Sequence, residues 1–180
     1  AVNQYSEATV TKNGTAPWRI RQFYQLALNA FKKGNLEAGL AYAGILTHYV
    51  GDLSQPLHAS ENYDGQLTGN KGIHSFFETT VISNEATTRA EVLKRAQKLM
   101  KTKSFRAQAL NNLAKDLFAE VHRSAEQIEL VLRNDDTYGR NAKGAAVQLN
   151  VASDRMADGA ATLAKILSQL WRESGLAANA

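Results

Sequence analysis

Apolar residues recur at helical spacing along most of the chain, and this pattern indicates a series of helices. In the first clear segment, residues 16–33, large apolar side chains lie three or four positions apart, and Pro17 suits a helix's first turn. Gly34 and Asn35 then end that helix and cap the next one. The pattern predicts an all-α, multi-helix bundle.

A second helix is predicted over residues 36–55, where small residues such as Gly39 favour close approach to neighbouring helices. Pro56 should end it, because proline clashes with the preceding turn and restricts the residue before it. Residues 57–72 are rich in Gly, Asn, Asp and Ser and are predicted to form a long loop. A loop of that length in a helical domain is often functional. A short helix is expected to follow over residues 73–82.

The remainder of the chain predicts three further helical segments: 87–100, 104–133 and 145–174. Residues 134–144 read as a connection, and residues 1–14 as a polar lead-in without a helical pattern. The sequence contains no internal repeat and no convincing strand pattern. We therefore expect residues 1–180 to form a single α-helical domain.

The amino-acid composition excludes only a few kinds of binding site and location. The chain of 180 residues has no cysteine, which excludes disulfides and thiolate-bound zinc. No apolar run is long enough to span a membrane, and the first residues show no signal-peptide pattern, so a signal peptide is either lacking or already removed. The net charge of +4 mildly favours anionic partners such as phosphates or membrane surfaces, although an ordinary basic surface explains it equally well.

Three of the four histidines fall within one stretch, residues 47–80. His48 and Asp52 are four apart on a predicted helix, so their side chains share a face, and a second His-and-acid pair repeats this spacing. A further histidine, His58, lies just after Pro56, where a change of chain direction can bring its side chain back towards the preceding helix. The resulting set of potential metal ligands is His48, Asp52, His58, His74 and Glu78.

A single HxxxD pair occurs frequently by chance, and a lone helical histidine is more often a hydrogen-bonded core residue. Two pairs with a third histidine between them are much harder to explain as coincidence. His48 also has the apolar neighbours Leu46, Val50 and Leu53, among which a bare imidazole would be costly. We therefore interpret the set as a metal site.

Two other features favour ordinary surface or core roles. His122 and Glu126 form another HxxxE pair, far from the cluster in sequence and without a third ligand nearby. The basic run of residues 98–106 is typical of a solvated helix face, and a specific contact with lipid or nucleic acid is the alternative interpretation.

The run "HYVGDLSQPLH", followed by "GIHSFFE", resembles the zinc-dependent phospholipases C of bacteria and the related single-strand-specific zinc nucleases of fungi and plants. The resemblance implies an all-α fold with up to three zinc ions in a cleft. It also implies phosphodiester hydrolysis by a zinc-bound hydroxide. The ligands of that superfamily occur in the same order in this chain.

Carried over by this resemblance, His58, His74 and Glu78 complete one zinc site. His48 and Asp52 supply part of a second site, and Asp52 bridges towards a third ion, which makes it the predicted catalytic residue. One complete zinc site is thus expected from this chain.

The resemblance also assigns substrate contacts to four residues: Asn62, Tyr63, Asn70 and Ser75. The implied substrate is a phosphodiester, either a phospholipid head group or a single-stranded nucleic acid. Contact with a membrane surface and a secreted or periplasmic location are implied as well.

Two details point to different substrates. Glu78 is the acid found in the phospholipases, whereas the nucleases have Asp there. The stretch "DGQLTGN" is instead similar to a loop of the nucleases. Phospholipase C, single-strand nuclease or nucleotidase, and a non-catalytic bundle with a structural zinc therefore remain three alternatives.

The chain departs from the superfamily at two points. Ser54 stands where the nucleases have a histidine that is not a zinc ligand. The superfamily takes further ligands from its N-terminal part, namely the terminal amino group with its Trp, two His and an Asp, but no histidine precedes His48 here. We therefore expect the chain to correspond to the carboxy-terminal two-thirds of a member, with the missing N-terminal segment as its partner.

Overall fold

The structure, a computed structural model, describes residues 6–12, 14–107 and 113–176, and every regular element in these ranges is helical. Nine α-helices are described there, with a 3₁₀ helix at Pro56–Ala59 and a π-helical turn at Phe76–Thr80. The α-helices are α1 Glu7–Lys12, α2 Ala16–Lys32, α3 Leu36–Ser54, α4 Ile73–Ser75, α5 Glu85–Met100, α6 Lys103–Ala107, α7 Leu113–Ala125, α8 Ile128–Tyr138 and α9 Ala142–Ser174. The all-α prediction is confirmed.

The hairpin of α2 and α3 forms as the sequence predicts. Pro17 lies in the first turn of α2, and the Asn35 side chain accepts a hydrogen bond from the Ala38 N–H at the start of α3. Gly39 allows close packing, because a Cβ placed there would lie 2.3 Å from the Phe31 ring. The two helices therefore pack tightly, as the small residues of α3 predicted.

The long helix α9 runs past most of the other helices and joins two apolar clusters. One cluster is formed by α2, α3, α7 and α9, with Leu46, Leu117 and Ile166 fully buried. The other lies beneath the segment between α3 and α5, and its members include Leu57 and Ile73. This second cluster supports the part of the chain that carries His58, His74 and Glu78.

Three boundary predictions were wrong. Residues 7–12 of the lead-in form α1, whereas residues 1–5 and 13 lie outside the described residues. The segment predicted over 104–133 is divided into α6, α7 and part of α8, with residues 108–112 outside the described ranges.

The third correction concerns the connection predicted over residues 134–144. Helix α8 continues to Tyr138, because Asn134 and Asp135 are buried with polar partners instead of lying in a solvated turn. Gly139, with a φ of 65°, then turns the chain, and Asn141 caps α9 through the N–H groups of its first turn. The observed connection is therefore only three residues long.

A buried ionic cluster fastens α3, α7 and α9 together. Glu120 of α7 has no exposed surface, and its carboxylate pairs with Arg155 and Arg123. Both arginines also pair with Asp158, and Ser54 of α3 donates a hydrogen bond of 3.2 Å to Glu120. Burying a carboxylate is tolerable only because it is paired and hydrogen-bonded in this way.

We predict that Glu120→Gln lowers the free energy of unfolding by about 3 kcal/mol, because it leaves the single carboxylate of Asp158 to balance two guanidinium groups. Urea denaturation followed by circular dichroism measures the change. Glu126→Gln is the matched control, since the Glu126 side chain is 62% exposed and its contact with His122 contributes little. Equal stabilities of the two variants would contradict the importance of the cluster.

Candidate metal centre

Pro56 determines where His58 lies. It ends α3 at Ser54, and Gln55 takes an extended conformation (φ −84°, ψ 117°), as expected for a residue before proline. The 3₁₀ helix that follows turns back over the end of α3. As a result, His58 Nδ1 lies 3.6 Å from Asp52 Oδ1, close enough for electrostatic attraction but too far for a good hydrogen bond.

His74 and Glu78 come from the short segment after the loop. Gly72, with a φ of 93°, starts α4, which continues directly into the π-helical turn. The His74 Nε2 and Glu78 Oε1 atoms are 3.0 Å apart. Wide turns of this kind are found frequently at functional sites, because they re-aim a side chain within a helix. Buried Phe76 and Phe77 hold this turn against the second apolar cluster.

Three ligand atoms from these two segments converge. His58 Nε2 lies 3.3 Å from His74 Nε2 and 3.3 Å from Glu78 Oε1, which completes a triangle with the 3.0 Å contact above. Zinc bonds to such atoms are about 2.0–2.2 Å long, so neighbouring ligand atoms in a tetrahedron lie about 3.3 Å apart. Two histidines and a carboxylate also match the preferred zinc donors. The residues present therefore fit a zinc ion.

The surroundings orient these ligands. His74 Nδ1 lies 2.9 Å from the Tyr63 carbonyl, so a proton on Nδ1 is donated to that oxygen and Nε2 keeps its lone pair for a metal. The Gln55 side-chain amide donates a 3.0 Å hydrogen bond to Glu78 Oε1. Asp64 accepts the His74 backbone N–H at 3.3 Å. Such contacts preset the imidazole and carboxylate for binding an ion.

The loop that provides Tyr63 is tied to α8 and to the connection that follows it. Arg140 donates hydrogen bonds to the carbonyls of Asn70 and Lys71 and pairs with Asp135 at 2.9 Å. Burial acts to raise the pKa of Asp135, but the hydrogen bonds from Arg140 and Asn70 outweigh it and lower that pKa. The loop therefore has a charged anchor outside the candidate centre.

The four predicted substrate-contact residues fall into two groups. Asn62 and Asn70 are buried: the Asn62 side chain bonds within the loop, and the Asn70 amide donates to Asp135 and Asp136. Tyr63 and Ser75 are exposed. The Tyr63 ring is also close to a ligand, with its centroid 6.3 Å from that of His74. Substrate contact by all four stays a prediction, and the exposed pair is better placed for it.

His48 and Asp52 lie beside this triangle. His48 Nε2 is 3.4 Å from Asp52 Oδ2, so the two oxygens of Asp52 face different histidines. The expectation that His48 sits among apolar side chains was wrong, because its side chain is 74% exposed. Its apolar neighbours in sequence point into the core from the opposite side of α3: Leu46, Val50 and Leu53.

Within the described ranges, His58, His74 and Glu78 are the only set of three His, Asp or Glu side chains close enough to hold one ion. His122 and Glu126 are separated by 3.9 Å and have side chains 79% and 62% exposed, as expected for an ordinary surface pair. The structure therefore defines an all-α protein with one candidate two-histidine, one-carboxylate metal centre.

Comparison with known proteins identifies the family. Residues 4–128 match the family model described as zinc dependent phospholipase C, so the chain belongs to that family. Phospholipase C of Clostridium novyi is 46% identical over 81 residues, which cover 39% of this chain and 20% of the relative. Phospholipase C of Bacillus cereus is 33% identical over 60 residues, which cover 33% of this chain and 20% of the relative.

A third relative carries a different description. A protein of Bradyrhizobium tropiciagri named "Probable serine protease" is 32% identical over 92 residues, or 42% of this chain and 12% of that protein. The chain thus matches only 12 to 20% of the length of these curated relatives. No solved structure gives a significant match.

Sequence reasoning missed several residues that support the centre. Gln55 belongs to the run "HYVGDLSQPLH", but the sequence pattern assigns it no function, although its side-chain amide donates a hydrogen bond to Glu78. Arg140 and Glu120 lie far from the cluster in sequence and bear no motif. The Tyr63 carbonyl belongs to the backbone, so side-chain identity carries no signal for it. Only Gln55, by its position between two ligands, could have been found in the sequence.

We predict that this chain binds one zinc ion tightly and that His74→Ala weakens binding by more than about 100-fold, because a direct ligand is lost. Competition with a chromogenic chelator measures the affinity. His122→Ala is the matched control, since it removes a histidine from the same HxxxE spacing without a third ligand. The assignment fails if both variants lose zinc to the same extent.

Gln55→Leu should lower zinc affinity by about 10- to 100-fold, as is usual when a residue that orients a ligand is lost. The same competition experiment measures this loss, with the unfolding transition recorded in parallel. An unchanged affinity in a folded variant would show that the Glu78 carboxylate needs no orientation from Gln55.

Proposed function

We propose that the protein is a zinc-dependent phosphodiester hydrolase of the phospholipase C type. The observation that carries the proposal is the convergence of His58 Nε2, His74 Nε2 and Glu78 Oε1 at 3.0–3.3 Å. Membership of the zinc dependent phospholipase C family supports both the metal and the reaction class. Because the matched relatives are much longer than the shared segments, the activity of the whole protein is part of the proposal.

The three converging residues would hold one zinc ion. A zinc ion bound there would supply Lewis acidity, polarising a phosphoryl oxygen and lowering the pKa of a bound water towards about 7. His48 and Asp52 offer two donors to a second ion beside the first. Within the described residues, no further His, Asp or Glu side chain forms a three-ligand set with this pair.

Asp52 is the residue we propose to be catalytic. Its side chain is 31% exposed, and its two oxygens face His48 and His58. The carboxylate can therefore attract the His58 ring electrostatically and still offer an oxygen to a second ion. Tyr63 and Ser75 are the exposed groups we propose to contact the substrate.

The open side of the centre supports catalysis over a purely structural zinc. His58 and Glu78 have side chains 32% and 40% exposed, so a water or substrate atom can reach the remaining position. Structural zinc sites are usually closed by four protein ligands. The non-catalytic alternative is therefore less well supported.

A phospholipid substrate is better supported than a single-stranded nucleic acid. Proteins that bind single strands stack bases on exposed aromatic rings, but Phe76 and Phe77 are buried in the core. Among the described residues, the exposed ring of Tyr63 lies next to His74, and the exposed rings of Trp18 and Phe118 line a separate cavity that reaches Asp52 and His58. The phospholipases C among the relatives and the Glu at position 78 favour the phospholipid.

The cellular location of the protein is argued from its helices and its family. Among the described helices, none is long and apolar enough to cross a membrane. We propose a secreted or periplasmic protein that meets lipid at a membrane surface, on the strength of the family alone.

We expect zinc-dependent hydrolysis of p-nitrophenyl phosphorylcholine and of a short-chain phosphatidylcholine, abolished by EDTA and restored by zinc. His58→Ala should reduce the rate by more than about 100-fold through loss of a ligand. His122→Ala should match the unaltered chain. Release of p-nitrophenol and of phosphocholine measures both reactions.

Three outcomes would contradict this account. Cleavage of single-stranded DNA without cleavage of the choline substrates would favour a nuclease. Retained zinc without any hydrolysis would favour a structural metal. Hydrolysis that survives complete removal of metal would exclude the proposed chemistry.

A further inference from the structure

The positive charge of the protein is concentrated in one short segment. Residues 85–107, which span α5 and α6, contain seven Lys or Arg and two acidic residues. The other 157 residues contain 14 Lys or Arg and 15 acidic residues. Without this segment the formal net charge would be −1 instead of +4, so the whole positive excess of the chain lies on α5 and α6.

Most of these cations are exposed and have no counter-charge in the protein. Six exposed side chains form a surface that we call the basic face: Arg89, Lys94, Lys98, Lys101, Lys103 and Arg106. Among the described residues, Lys94 is the one member with an ion-pair partner, Glu91 at 3.8 Å. The seventh cation, Arg95, is paired with Glu91 and Asp154 and lies closer to the core. The basic face therefore offers its charge to something outside the chain.

Two large apolar side chains are exposed among these cations. Leu93 and Met100 are 57% and 38% exposed and lie two turns apart on α5. Thr88 and Ala96 are buried on the inner side of the same helix. Three lysines of the basic face follow at helical spacing on the exposed side, next to Leu93 and Met100. Exposed Lys and Arg beside exposed apolar side chains are typical of helices that lie in the interface of a membrane.

This combination favours a bilayer over a nucleic acid as the partner. The one aromatic residue of the segment, Phe105, is buried, so no ring is available there to stack on a base. Leu93 and Met100 would stay in water against a phosphate backbone, but they can enter the headgroup region of a bilayer. Helix α5 also borders the candidate metal centre, since its Val92 and Glu78 line the same cavity.

We propose that the exposed side of α5 and α6 docks the protein onto an anionic lipid bilayer. The basic face attracts negatively charged headgroups, and Leu93 and Met100 enter the interface. This surface is separate from the metal ligands, so the inference goes beyond the proposed function. The lipids that it recognises are defined by their negative charge and not by being substrates.

The test is co-sedimentation of the zinc-loaded chain with sucrose-loaded vesicles. Vesicles of phosphatidylcholine with about 30% phosphatidylglycerol should bind at least about tenfold more tightly than vesicles of phosphatidylcholine alone, because only the former carry a negative surface potential. Raising the salt concentration from about 50 to about 500 mM should remove most of this difference, since salt screens exposed charges.

Lys98→Glu combined with Lys101→Glu should weaken binding to the anionic vesicles by more than about 100-fold. Lys32→Glu combined with Lys33→Glu is the matched control, because it makes the same charge change in the last turn and at the C-cap of a helix, here α2. The control should bind vesicles almost as well as the unaltered chain. Both double variants should keep their zinc affinity.

Leu93→Ala tests the apolar contribution. It should weaken vesicle binding by about tenfold at low and at high salt, because insertion of an apolar side chain is not screened. Leu40→Ala is its control, since Leu40 is 66% exposed on α3, away from the basic face.

The soluble substrate p-nitrophenyl phosphorylcholine separates the two proposals. Vesicle binding without hydrolysis of this substrate would refute the proposed function and leave the docking surface standing. Hydrolysis by a chain that binds both kinds of vesicle equally would overturn the docking surface alone. Equal loss of binding in the two double variants, or binding of single-stranded DNA in place of vesicles, would also overturn it.

Discussion

The reversal of the chain at Pro56 is the constraint on which the candidate centre depends. Asp52 lies in the last turn of α3, and Pro56 stops the helix at Ser54 and forces Gln55 into an extended conformation. The 3₁₀ turn then carries His58 back towards the helix it has just left. Without this reversal, His58 could not meet His74 and Glu78, which arrive from a segment sixteen and twenty residues further along.

Two charged anchors keep the bend and its partner segment in place. The buried Glu120 and Arg155 pair holds Ser54, at the end of α3, between α7 and α9. Arg140 and Asp135 hold the loop whose carbonyl at Tyr63 orients His74. The first anchor joins the end of α3 to α7 and α9, and the second joins the loop to α8 and to the connection that follows it. Both segments that carry the converging side chains are therefore held in place by contacts with the folded core.

The helical architecture and the ligand spacing could be read from the sequence, because apolar periodicity and i, i+4 pairing are local properties. Pro56 and Asn35 likewise act on their immediate neighbours. The extension of α8 through Asn134 and Asp135 could not be predicted from the sequence, since it depends on hydrogen-bond partners that only folding brings close. The exposure of His48 depends on which face of α3 meets the core, and its apolar neighbours in sequence lie on a different face from His48 itself. The π-helical turn depends on the packing of Phe76 and Phe77.

The most direct test of the central claim is anomalous diffraction at the zinc edge from crystals of this chain grown with one equivalent of zinc. We predict one dominant peak about 2.0–2.2 Å from His58 Nε2, His74 Nε2 and a carboxylate oxygen of Glu78. A dominant peak at His48 and Asp52 alone, or at His122 and Glu126, would contradict it. So would the absence of any peak with the three ligand side chains left in their present positions.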